Sequence, residues 1–348
     1  MGLDPKYRSI VIWLFSIYFF VGLMVMVGGI TRLTRSGLSI VEWEPFTGII
    51  PPLSETSWQE EFENYKQYPE YKKNNRGMTL EEFKFIFFWE FIHRLLGRLV
   101  GFLFLIPFLY FVIRKSLKGK DIYLTAAAFV LGGLQGFMGW FMVESGLREM
   151  PRVSHYRLAA HLLLALLIMM YIFWIALYIY FRERRILPEL KHAERLRNFS
   201  WFITALIVFQ IMYGAFTAGI RAGYMYNTFP LMGNSLIPSE IFNLNPAWIN
   251  FFENMSAIQF IHRTLAWILL PLILFFFFYS KKFHLDRLSR SSIAFLLLSI
   301  NAQFIIGIFT ILYAVPVFLG VLHQMGAVVL LTFSVLINFS LTSRSSRT

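Results

Sequence analysis

Glu90, His93, Arg94 and Arg98 stand inside the stretch EEFKFIFFWEFIHRLLGRLVGFLFLIPFLYFVI (81–113), which past Lys84 is otherwise apolar enough for a bilayer. A charge at membrane depth costs roughly 2.5–3.5 kcal/mol on insertion scales, so such groups face a partner or a cofactor inside a bundle. Glu90 and His93, three residues apart, share one helix face. The string FIHR returns at 260–263 in a second apolar run, where Gln259 takes the place that Glu90 holds before His93.

Two further histidines, His161 and His323, lie early in other apolar runs, giving two pairs, His93 with His161 and His262 with His323. Two histidines on neighbouring helices at one level grip a haem iron from both sides, with small residues leaving room for the porphyrin. Gly97, Gly101, Gly132, Gly133, Gly136 and Gly139 are candidates for that room in the first half, and Gly307, Gly320 and Gly326 in the second. A lone membrane histidine commonly bonds across helices, and glycines are common where helices pack closely; four histidines paired by duplication argue for iron. Zinc fits less well, because neither pair has evident third and fourth protein ligands.

His155, in PRVSHYR, competes with His161 for iron but lies outside the apolar run and reads as interfacial, while His192 and His284 fall in basic loops. Arg94, Arg98 and Arg263 are candidates for propionates, for Glu90 or for a neighbouring helix, and Arg35 and Arg221 are further propionate candidates. A glutamate beside an iron site holds a proton, moves it, or stabilises developing positive charge, none of which a glutamine does as an acid or base. The first half then reads as reactive and the second as a cofactor site, against the plainer alternative that Glu90 only pairs with an arginine.

These residues sit in a chain of 348 residues, 57% hydrophobic and 18% aromatic, with a mean hydropathy of +0.58. That composition belongs to a polytopic membrane protein. The net charge of +12 is spread over short loops, where basic residues set topology, so nucleic-acid binding is not indicated. The absence of cysteine excludes disulfides, thiolate-ligated haem and iron–sulfur clusters. The start, MGLDPKYRS, has no cleavage site, which predicts a retained first helix, as in a bacterial inner-membrane protein.

Apolar runs at 10–30, 83–113, 122–143, 158–181, 199–220, 255–279, 291–314 and 318–341 are each long enough to span about 30 Å at about 1.5 Å per residue. The basic loops 114–121, 182–197 and 280–290 predict a cytoplasmic face that holds both termini, with the four histidines in the outer half and residues 31–80 forming an outer cap. The halves repeat: Gly28, Thr31, Arg35 and Gly37 match Gly214, Thr217, Arg221 and Gly223, and Gln135 and Gly139 match Gln303 and Gly307. The predicted fold is an all-α polytopic membrane protein with eight transmembrane helices in two pseudo-two-fold related four-helix bundles, residues 1–190 and 191–348.

The chain resembles the haem A synthase family through GGITRLTRSGLSIVEWEPFTGIIPP (28–52), EFKFIFFWEFIHRLLGRLVG (82–101), GFMGWFMVESGL (136–147), PRVSHYRLAAHL (151–162), GAFTAGIRAGYMYNTFPLM (214–232), FIHR (260–263) and LHQMGA (322–327). The resemblance covers nearly the whole chain. It implies haem b held by His262 and His323, the substrate haem O held by His93 and His161, and an essential Glu90. The implied reaction oxidises the C8 methyl of haem O through successive hydroxylations to the formyl group of haem A. Handover from a haem O synthase, an electron donor and a homo-oligomer are also implied. The cysteine pair that some members carry in the first outer loop is absent. On residues alone, a dihaem b-type cytochrome and a secondary transporter remain alternatives; Glu90 opposite Gln259 favours the enzyme.

Overall fold

A computed structural model describes residues 4–42, 48–148, 153–184 and 194–342. Its helices are α1 (Pro5–Leu33), α2 (Glu55–Lys66), α3 (Pro69–Asn74), α4 (Leu80–Ile113), α5 (Lys120–Arg148), α6 (His155–Arg184), α7 (Glu194–Gly219), α8 (Asn250–Glu253), α9 (Met255–Ser280), α10 (Arg287–Leu312) and α11 (Val317–Ser340). Eight of them, all but α2, α3 and α8, are long and apolar enough to cross a membrane. The chain is an all-α multi-pass membrane protein, and each apolar run predicted above falls on one helix. The helices differ at their ends because capping residues carry several of them into polar sequence. Thr79 and Glu82 form a capping box that starts α4 at Leu80, and Asp286 accepts from Ser289 N to start α10 ahead of its apolar run.

Helix α1 packs on α4 and α6, and α5 on α4 and α6; α7 packs on α9 and α11, and α10 on α9 and α11. Contacts of α1 with α11 and of α6 with α7 and α11 join the two sets. Half of the most apolar window of α1 and 56% of that of α6 are buried, against 11% for α4 and 6% for α5, so α1 and α6 lie inside and α4 and α5 at the edge. Lipid is as apolar as leucine, so helices in a bilayer hold together by close packing and hydrogen bonds. Tyr18 and Thr332 share a 2.6 Å bond between α1 and α11, and Asn338 donates to Thr204 at 2.7 Å between α11 and α7. At the end of α6 near the basic loops, Arg182 binds both oxygens of Asp121 at 2.8 Å.

The segment between α1 and α4 folds back over the helices, with α2 against α4 and α3 against α5. Phe83 of α4 stacks between Phe62, at 5.0 Å, and Tyr65, at 5.2 Å. The described part of this segment thus covers one end of the helices; Pro45, also within the expected cap, lies outside the described residues.

Candidate haem sites

The helices bring the predicted histidines together in pairs. The rings of His262 (α9) and His323 (α11) have centroids 6.3 Å apart and planes at 83°. Two imidazoles that bind one metal, each through a nitrogen at about 2.0–2.1 Å, place their ring centres about 6 Å apart, so the separation fits two axial ligands of one iron. In the first half, His161 (α6) lies within electrostatic reach of His93 (α4). Nδ1 of His93, His262 and His323 is buried without a hydrogen-bond partner, while both ring nitrogens of His161 lie against the Gln135 amide, at 3.2 and 3.3 Å. No group of three or more His, Asp or Glu able to hold a bare metal ion occurs among the described residues. Two imidazoles suit a metal whose other positions a porphyrin fills.

Each ring leans on a glycine of the preceding membrane helix. A Cβ on Gly28 would lie 3.1 Å from Cε1 of His93, one on Gly139 3.0 Å from His161, one on Gly214 3.1 Å from His262 and one on Gly307 2.9 Å from His323. This corrects the expectation for Gly139 and Gly307, which back a histidine rather than make room for a porphyrin. Gly320 and Gly326 are also filled, by Leu33 and Gln303. Gly101, Gly132, Gly133 and Gly136 do face open space, and Gly97 meets only the Met24 methyl, at 3.6 Å. In the register of the repeat, the second half carries Ala266, Leu270, Ile300, Asn301 and Phe304 at these five places. Ile300 is buried, and Phe304 packs edge-on against Trp267 at 4.9 Å. At these places the first half carries glycines where the second carries larger side chains.

Glu90 is 2% exposed. Its Oε2 accepts from Ser39 N and Ser39 Oγ, each at 2.7 Å, and from Ile40 N at 2.9 Å. Its Oε1 accepts from Arg94 at 2.7 Å, and Arg94 also donates to the carbonyls of Ile40 at 2.8 Å and Glu42 at 3.2 Å. The two side chains pin the chain after α1 onto α4, beside His93. The repeat places the same two positions against its own loop but bonds them differently: Gln259, 1% exposed, donates to the Tyr226 carbonyl at 3.0 Å while its Oε1 is buried without a partner, and Arg263 donates to the carbonyls of Thr228, Pro230 and Leu231. Arg94 and Arg263 are thus committed to these loops. The plain pairing of Glu90 with an arginine is present, and it comes with three more donors that sequence inspection missed. Only folding brings Ser39 and Ile40, fifty residues away along the chain, onto this face.

His155 is buried against α7 and α8: it opens α6, its Nε2 donates to the Phe252 carbonyl at 2.8 Å, and it lies directly over Gly219. His284 is exposed, and His192 lies outside the described residues. Arg35 and Arg221 share a left-handed backbone with φ 60° just past α1 and α7 and gather with Arg32 near Glu70 of α3. Burial pushes the Glu70 carboxyl above the usual range, against the pull of Asn74 and these arginines.

The model of the COX15-CtaA family, cytochrome oxidase assembly proteins, matches residues 11–335. A heme A synthase of Nitrosospira multiformis is 48% identical over 341 residues, 97% of this chain and 96% of that protein. Heme A synthases of Nitrosomonas eutropha and Flavobacterium psychrophilum are 45% and 44% identical, over 94% and 93% of this chain and 92% and 95% of their own lengths. The order of the helices, the duplicated histidine pairs and these full-length matches lead to one conclusion: the chain belongs to the heme A synthase family of cytochrome oxidase assembly proteins.

Proposed function

We propose that the protein is an oxidoreductase that converts haem O into haem A by oxidising the C8 methyl to a formyl group, for the assembly of terminal oxidases. The observation that carries this reading is the difference between two matching positions of the repeat: Glu90 and glycines facing open space in the first half, Gln259 and larger side chains in the second. Haem O is the bulkier porphyrin, with a long hydroxyethylfarnesyl chain where haem b has a vinyl group. The glycine-bearing first half therefore takes the substrate, on His93 and His161, and the second takes haem b as cofactor, on His262 and His323. Bound there, haem b supplies one-electron transfer.

The chain's own residues orient and exclude. The backing glycines set the imidazoles, and the cap of α2 and α3 covers the outer end. Glu90 is the catalytic residue of this reading. Its four bonds are all of the kind a carboxylate accepts, so its role is a fixed negative charge that stabilises positive charge developing at the substrate methyl. Residues 1–190 and 191–348 form one four-helix bundle each. The protein lies in the bacterial inner membrane with both termini cytoplasmic, receives haem O from a haem O synthase, draws on a separate electron donor, and assembles as a homo-oligomer. Pigment extraction tests the activity: with a haem O source, purified protein yields haem A together with haem B. Haem B alone would mark an electron-transfer cytochrome and refute the proposal.

A further inference from the structure

The glycine behind each histidine belongs to a larger cradle. In α5, α7 and α10 a glutamine stands one turn before that glycine, as Gln135 with Gly139, Gln210 with Gly214 and Gln303 with Gly307. Each glutamine amide donates to the backbone carbonyl of the histidine its glycine backs: Gln135 to His161 at 3.1 Å, Gln210 to His262 at 3.0 Å and Gln303 to His323 at 2.8 Å. Three ligands are thus tied by their own peptide to the helix behind them. The fourth is not. In α1 the residue one turn before Gly28 is Met24, whose methyl lies against Gly97 of α4. A thioether has no proton to donate, and among the described residues no side chain is found on the His93 carbonyl.

We infer that His93 is the releasable axial ligand of the first site. This rests on the assignment of the substrate haem to His93 and His161. For an imidazole to leave an iron, its ring must recede toward the helix behind it or its backbone must shift. The glycine contact blocks the first motion at all four histidines, and the glutamine bond opposes the second at three. A resident cofactor is served by two restrained ligands, and the second half has two. A substrate haem must leave as product, which requires one ligand to yield. His161 keeps the haem in register while His93 gives way.

Release rates test this. Full-length protein carrying both haems is mixed with excess apomyoglobin, and transfer of the formyl-bearing product haem and of haem b is followed at their separate absorption bands. The product haem leaves faster in the wild type. Met24→Gln supplies the missing donor and slows that release about two- to tenfold, the range expected of one net hydrogen bond, while haem b release is unchanged. Met24→Leu, which adds no donor, leaves both rates as they were. Gln210→Met unties His262 and speeds haem b release by a similar factor. Should Met24→Gln fail to fold, as shown by loss of the low-spin haem b spectrum, Gln210→Met decides alone. An unchanged product-haem rate in folded Met24→Gln, or an unchanged haem b rate in Gln210→Met, overturns the inference. A wild type that never holds a second haem instead refutes the substrate assignment beneath it.

Discussion

Replacing Glu90 by Gln keeps the shape of the side chain and removes its charge, and the structure gives the cost. An amide oxygen in the place of Oε2 still accepts from Ser39 N, Ser39 Oγ and Ile40 N. The other end then sets an NH₂ donor against the Arg94 guanidinium, 2.7 Å away, where donor meets donor. The bond lost is charge-assisted and buried, a class worth about 1.5–3 kcal/mol, and the three retained bonds weaken as they become neutral. Arg94 keeps the Ile40 and Glu42 carbonyls, so its charge is not stranded. A total near 2–4 kcal/mol is smaller than the roughly 5–15 kcal/mol that holds a domain folded. The variant therefore folds and keeps haem b, and membranes containing it show little haem A per haem B. Arg94→Leu removes the same ion pair and leaves the carboxylate in place. Product from Arg94→Leu but not from Glu90→Gln assigns the loss to the charge itself, whereas equal loss in both assigns it to the pinned loop. Wild-type conversion by Glu90→Gln would refute the catalytic assignment altogether.

The reciprocal change Gln259→Glu is not neutral: it places a buried carboxylate against the Tyr226 carbonyl, which now accepts at 3.0 Å, and lowers the thermal midpoint of the haem b signal by an amount corresponding to about 1–3 kcal/mol. Either His262→Ala or His323→Ala abolishes the low-spin haem b spectrum, and a full bis-histidine spectrum in one variant would exclude that residue as a ligand. Gly136→Phe copies Phe304 of the second half into open space, so haem O retention falls while the haem b spectrum persists; unchanged haem O content would show that this face does not hold the substrate. Glu70→Gln tests the cap. The folded-state pKa of Glu70 is raised, so the stability this carboxyl contributes is present in acid and is lost as pH rises through that value. The variant's gain in thermal midpoint over wild type should grow from pH 4 to pH 7, and a gain independent of pH would contradict the buried-carboxyl reading.

The eight spans were legible in the sequence because a bilayer imposes long apolar runs and tolerates few ionisable residues, and a duplication is visible there in strings such as FIHR. The difference between Glu90 and Gln259 was legible for the same reason. The partners of Glu90 were not, since Ser39 and Ile40 reach it only when the chain after α1 folds back on α4. The burial of His155 at a helix junction escaped notice as well, because its loop looked polar and Gly219 gave no sign of the close crossing. The glycines show the limit most directly. In sequence, Gly132, Gly136 and Gly139 look alike, and tertiary packing alone decides that Gly139 backs His161 while the other two face open space. Composition registers that a residue is small; which neighbouring helix approaches it depends on helix rotation and crossing, and these follow from the packing of the whole set of helices rather than from any local pattern.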